Sequence, residues 1–182
     1  MGFQVDRMRK FFVIISFMLF SIKGSCFSGG GKVSMNGTIV ESACTISTND
    51  LWQEVDFGEV PLSKVVENGE ATATMKAMII HLVNCNLEKN KGGSWNNVSI
   101  TFDGDTDSHR PDMFAMRGKG RGIGVEITDA NGNVAVPGKV MPSLPLQEEN
   151  TNLDFTIHLK RNNDTLKAGS LSSYIRFMVA YQ

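Results

Sequence analysis

The chain carries almost no net charge. Its 18 Lys and Arg stand against 19 Asp and Glu, a formal balance of -1 over 182 residues. Binding to nucleic acid or to an anionic membrane surface calls for a basic excess, so neither is expected. Histidine is sparse, and His81, His109 and His158 have no ligand spacing. Gly-x-Ser-x-Gly, Gly-x-Gly-x-x-Gly and Walker patterns are all missing. The carboxylates are scattered and nominate no acid/base pair. These absences argue against an enzyme, and no metal or cofactor is expected. Tyr and Trp are scarce at two each.

No apolar run marks a membrane span, which takes roughly 20 residues. Phe11 to Ile22 is apolar over 12 residues, broken only by Ser16 and Ser21. Arg7, Arg9 and Lys10 precede it, and small residues follow at Gly24, Ser25, Cys26 and Ser28. That is the layout of a cleaved secretory signal over residues 1–28, with a buried core helix as the competing reading. Cleavage is placed after Ser28, with Cys26 as the alternative. Met8-Arg9-Lys10 is a second candidate start. Acylation of Cys26 is disfavoured because Lys23 stands where an apolar residue is wanted. Losing residues 1–28 removes four basic and one acidic residue, which leaves a mildly acidic chain of charge -4.

Two cysteines remain, Cys44 and Cys85. In a secreted chain they are expected to pair. A metal pair or a reactive thiol would need neighbouring ligands, and the sequence offers none.

Period-two alternation predicts strands in four places. These are Val98-Ile100-Phe102, Ile123-Val125-Ile127, Leu153-Phe155-Ile157-Leu159 and Ile175-Phe177-Val179-Tyr181, each interleaved with more polar residues. Met75 to Cys85 is expected as a further strand on its β-branched content, and Val33 to Val40 as another, interrupted by Asn36-Gly37. Turn signals stand at Asn68-Gly69, Gly92-Gly93, Asp103-Gly104, Asn131-Gly132 and Asn162-Asn163. Many short strands and no helical period predict one all-β domain, a β-sandwich of immunoglobulin type. Such a sandwich needs about seven strands, and about six are counted here. The final strand runs to the last residue, so its outer edge is expected to lack a partner.

Asp103-Gly-Asp105-Thr-Asp107 begins like a calcium loop, but Ser108 and Phe114 stand where Gly and Glu are required. An acidic surface turn is the expectation. His158 falls on the polar face of its strand.

The residues then resemble a known family, the chaperone–usher pilins of Gram-negative bacteria. The resemblance lies in Gly37-Thr-Ile-Val-Glu-Ser-Ala-Cys44-Thr-Ile, His81-Leu-Val-Asn-Cys85, Val98 to Gly104, Gly122 to Gly132, Ala168-Gly169 and Tyr181. Within the family the chain looks most like the minor subunit that terminates and anchors the P-pilus rod. Cys44 to Gly69, Gly138 to Leu146, Leu153-Asp-Phe-Thr-Ile and Arg161-Asn162 carry that likeness. One departure is a shorter N-terminal stretch before Lys32.

The resemblance implies an incomplete immunoglobulin-like β-sandwich lacking its final strand, completed by a donor strand in trans. It implies a donor extension at residues 29–36, with Val33 and Met35 as its insertion residues and Gly31 as the small residue where chains pass closely, and a pilin domain at residues 37–182. The acceptor cleft would be bordered by Ile175, Phe177, Val179 and Tyr181. Implied partners are a periplasmic pilus chaperone, an outer-membrane usher and neighbouring pilin subunits. The implied location is a surface fimbrium reached through the periplasm. An ordinary rod or linker pilin is the nearest alternative, and a secreted carbohydrate-binding module is one from another class.

Overall fold

The computed structural model describes residues 32–37, 41–65 and 75–182. The chain divides into two units, Met1–Ile39 and Val40–Gln182. In the first, residues 32–37 form no regular element, and Val33 and Met35 are exposed. The strand expected from Val33 onward is therefore not formed across residues 33–37. Propensity alone does not make a strand, because the backbone groups need a ladder to pair with. Residues 38–40, the signal segment at 1–28, Gly29 to Gly31 and the Asn68-Gly69 turn lie outside the described residues.

The second unit is built of strands. In chain order they are β1 (Thr45–Ile46), β2 (Met75–Cys85), β3 (Asn97–Gly104), β4 (Arg117–Gly118), β5 (Ile123–Asp129), β6 (Leu144–Pro145), β7 (Glu149–Arg161), β8 (Leu171–Ser172) and β9 (Ile175–Tyr181). Two 3-10 turns, Thr48–Asp50 and Leu62–Lys64, lie between β1 and β2. The other five segments expected as strands are strands. The additional short ones, β1, β4, β6 and β8, are two residues each. So short a run carries no readable period.

One sheet has the order β1-β2-β7-β5 and another β6-β3-β9, with every pairing antiparallel. Their inner faces make the core. Ile80 and Leu82 of β2, Leu153 and Phe155 of β7 and Ile127 of β5 come from the first sheet, and Val98, Ile100 and Phe102 of β3 from the second. Each such side chain is worth about 1.5–3 kcal/mol when fully buried. Phe102 meets Phe155 across the sandwich edge-to-face, with ring centroids 5.0 Å apart.

β4 and β8 form a separate two-stranded ribbon. Here backbone lies on backbone: a Cβ on Gly169 would sit 2.5 Å from the nitrogen of Gly120. Only glycine permits that approach.

The acidic turn at residues 103–107 is tied up internally. Asp103 pairs with Arg176, Asp105 with Arg117, and Asp107 accepts a hydrogen bond from Asn162.

Candidate functional site

β3 and β9 are paired so that Val98 faces Tyr181, Ile100 faces Val179, Phe102 faces Phe177 and Gly104 faces Ile175. The three β3 side chains are 1–3% exposed. Their neighbours on β9 stay only half-buried, alternating with exposed Arg176, Met178 and Ala180. The difference is topological. β3 is flanked by β6 and β9, whereas among the described residues β9 pairs with β3 alone. Its other edge leaves main-chain donors and acceptors unpaired and apolar side chains partly uncovered.

That edge borders a groove of about 440 Å³. Val179 and Tyr181 line one wall. The other is formed by Ser42, Cys44, Thr45, Ile46, Thr48 and Leu51, around β1. Ile175 and Phe177 pack against the core on the same face of β9. Phe177 lies 6.4 Å from Phe102, ring centroid to ring centroid. The four β9 residues singled out from the sequence thus share one face, and two of them line the groove.

The far wall is held by specific contacts. Cys44 and Cys85 form a disulfide, with Cα atoms 4.1 Å apart, which ties the start of β1 to the end of β2. The Tyr181 hydroxyl donates to the Cys44 carbonyl at 3.1 Å, and Ser42 Oγ donates to the same oxygen at 2.7 Å. Burial raises the Tyr181 phenol above its ordinary pKa of 10.0, with the nearby Ser42 hydroxyl acting against it. Trp95 meets Tyr181 edge-on at 6.3 Å, and Lys89 Nζ sits 4.1 Å over the Trp95 ring.

Beyond β1, Asp50 is buried and its Oδ2 accepts two bonds from His81. One comes from the backbone N–H at 2.7 Å and one from Nδ1–H at 2.8 Å. Ser47 N–H donates to the His81 carbonyl, and Gln53 Nε2 donates to the Ile79 carbonyl. The turn carrying Leu51 is thereby fastened to β2.

Tyr181 is the single ionisable group in this lining. With apolar side chains and neutral hydroxyls making up the rest, the groove can receive apolar side chains and pair main-chain groups. Among the described residues, no group of three or more His, Cys, Asp or Glu could hold a metal ion.

The segment Ser42 to Leu51 was not singled out from the sequence as a groove wall. Its only strand is two residues long, and its apolar residues recur at no strand period. Met35 and Val33 belong to the other unit, and Gly31 lies outside the described residues. His158 lies on the polar face of β7 with Thr156 and Lys160 and is half-buried there, with Nε2 3.0 Å from Thr128 Oγ1 and Nδ1 buried without a partner.

The family model described as fimbrial protein matches residues 33–182. The PRS fimbrial minor pilin protein of Escherichia coli is 35% identical over 154 residues, covering 84% of this chain and 77% of the relative. The PAP fimbrial minor pilin protein of the same organism is 34% identical over the same shares. A solved chaperone–usher pilus structure, reported for the molecular basis of rod uncoiling, superposes with a TM-score of 0.68 at 26% identity. It covers 85% of this chain and 97% of that one. The P pilus rod subunit PapA superposes at 0.67 and 22% identity, over 78% of this chain and all of its own, and supports the fold alone. The sandwich with one open edge is thus the incomplete immunoglobulin-like fold of pilins. With one family model running from the exposed N-terminal segment through β9, the chain belongs to the fimbrial protein family.

Proposed function

We propose that the groove beside β9 accepts a strand from another protein, and that the chain is a minor structural subunit of a chaperone–usher pilus. The observation that carries this reading is the burial contrast between β3 and β9. Side chains that are sealed on one strand are left half-open on its neighbour. A donor strand supplying four or five apolar side chains at about 1.5–3 kcal/mol each would contribute about 6–15 kcal/mol. That is comparable to the stability of a whole domain, about 5–15 kcal/mol. A periplasmic chaperone supplies the strand first, and the extension of a neighbouring subunit replaces it at the usher. The chain itself contributes residues 29–36, with Val33 and Met35 inserting into another subunit and Gly31 allowing close passage. Ile175, Phe177, Val179 and Tyr181 form the accepting face. The activity is structural, with no catalysis.

Within that role the chain terminates or anchors the rod. The identity to two minor pilins and the resemblance of Cys44 to Gly69 and Gly138 to Leu146 to the rod terminator support this. A terminator inserts its own extension but does not exchange its chaperone for the next one. Its chaperone complex, mixed with donor peptides that release a rod subunit, should retain the chaperone throughout the assay. Release as fast as from a rod subunit makes the chain a rod or linker pilin.

A further inference from the structure

The run Arg117-Gly-Lys119-Gly-Arg121-Gly122 alternates three basic residues with three glycines. A Cβ on Gly118 would lie 2.1 Å from the Ser170 carbonyl oxygen, and one on Gly122 would lie 2.7 Å from Leu166 Cα. The glycines are thus pressed onto the segment 165–172, and Arg117, Lys119 and Arg121 are left exposed. Arg121 and the exposed Lys167 exchange two main-chain hydrogen bonds, each 3.1 Å, so they stand directly opposite one another. Like charges so placed repel and weaken the pairing. Arg117 is matched to Asp105, as Arg110, Lys160 and Arg176 are matched to carboxylates elsewhere. Among the described residues, Lys119, Arg121 and Lys167 have no such partner. Three unmatched cations on one ribbon gain most from an anion that all of them can reach. The ridge is also fixed, because Lys119 N–H and Gly120 N–H both donate to the Ser170 carbonyl, at 2.9 and 3.2 Å. Binding there orders little backbone.

The chemistry of the ridge selects its partner. None of the exposed large hydrophobic residues lies in 117–122 or 165–172, so nothing there inserts among lipid chains. Neither segment holds an aromatic residue to stack on a nucleic-acid base. Recognition therefore rests on charge. With 18 basic and 19 acidic residues in the chain, a broad anionic surface such as a bilayer would meet carboxylates as well as cations. A thin linear polyanion can touch the ridge alone. Alternate residues of an extended segment lie about 6–7 Å apart, which sets Arg117, Lys119 and Arg121 in a row toward successive anionic groups of one polymer. We propose that Lys119, Arg121 and Lys167 form a binding site for an acidic polysaccharide carrying sulfate or phosphate groups, with Arg117 at its end. The near-neutral total charge hides this local excess. The site adds a glycan contact to the structural role and does not depend on the groove, because β4 and β8 form a ribbon of their own.

The test uses the chain co-produced with its pilus chaperone, with heparin as the sulfated probe, at about 50 and 200 mM salt. The wild-type complex should bind heparin and weaken as salt rises. Lys119→Gln with Arg121→Gln should lower the affinity about tenfold at the lower salt and flatten its salt dependence. Lys91→Gln, which removes an exposed lysine elsewhere, should leave the affinity unchanged and so discounts binding by the chaperone or by total charge. Lys167→Gln should weaken heparin binding without lowering the melting temperature, because it relieves the repulsion with Arg121. Unchanged affinity in the double variant overturns the proposal, as does an equal loss in Lys91→Gln. A lower melting temperature in Lys167→Gln removes the repulsion on which the site rests and also overturns it. So does equally tight binding to vesicles of anionic phospholipid that is lost in the same variants, since the partner would then be a membrane.

Discussion

Replacing Val179 by Thr exchanges a methyl for a hydroxyl with almost no change of shape. In the open subunit Val179 is half-buried at the groove wall, so the new hydroxyl stays hydrated and the folded chain loses about 0.5 kcal/mol, as at other water-accessible sites. Once a strand covers the groove, the same hydroxyl is buried without a designed partner, at a cost of about 1–3 kcal/mol. At about 1.4 kcal/mol per factor of ten, the donor strand should be held about 5- to 150-fold more weakly. The control lies one residue away. Ala180 faces Ser99 on the opposite side of the same strand and is exposed, so Ala180→Ser should change nothing. The assay is the dissociation rate of the chaperone, or of a donor peptide, from each variant. Equal rates for Val179→Thr and Ala180→Ser would refute the assignment of this face of β9 as the accepting surface.

The Cys44–Cys85 disulfide spans 41 residues, and the chain-entropy model assigns such a loop about 4 kcal/mol. Alkylation of periplasmic protein should find neither thiol free, and Cys44→Ser with Cys85→Ser should lower the denaturation midpoint accordingly. Chain produced without a chaperone should aggregate or be degraded, and a soluble monomer melting cooperatively like an intact domain would contradict that. His158 is predicted to make the fold acid-sensitive. Its pKa is lowered from 6.5, chiefly by burial, then by Lys160, with Glu126 opposing. The folded chain therefore binds the His158 proton less readily than the unfolded chain. Stability is level above about pH 6.5 and falls as pH drops below it. Thermal melts of the chaperone complex between pH 7.5 and 5 should show this decline, reduced in His158→Gln. Parallel curves for the two proteins would count against it.

The five long strands were legible because a two-residue period needs only the chain itself: Leu153, Phe155, Ile157 and Leu159 must share one face wherever the strand lies. The open edge was legible for a related reason. Ile175, Phe177, Val179 and Tyr181 form one apolar face by the same period, and the strand count fell short of the seven a sandwich needs. The cysteine count pointed to one bridge once the signal was read as removed. The second wall of the groove was a different matter. Ser42 to Leu51 contains a two-residue strand, and its place opposite β9 depends on a disulfide to β2, on Tyr181 bonding the Cys44 carbonyl and on Asp50 bonding His81. These contacts join residues up to 137 positions apart, and no local pattern encodes them. The half-burial of His158 has the same origin, since Thr128 and Glu126 reach it only once β5 and β7 are paired. The sequence by itself determined the five long strands, their faces and a strand count short of a full sandwich, because periodicity and side-chain chemistry are local. Only the tertiary structure decided which residues face that missing strand across the groove, because that depends on distant segments meeting.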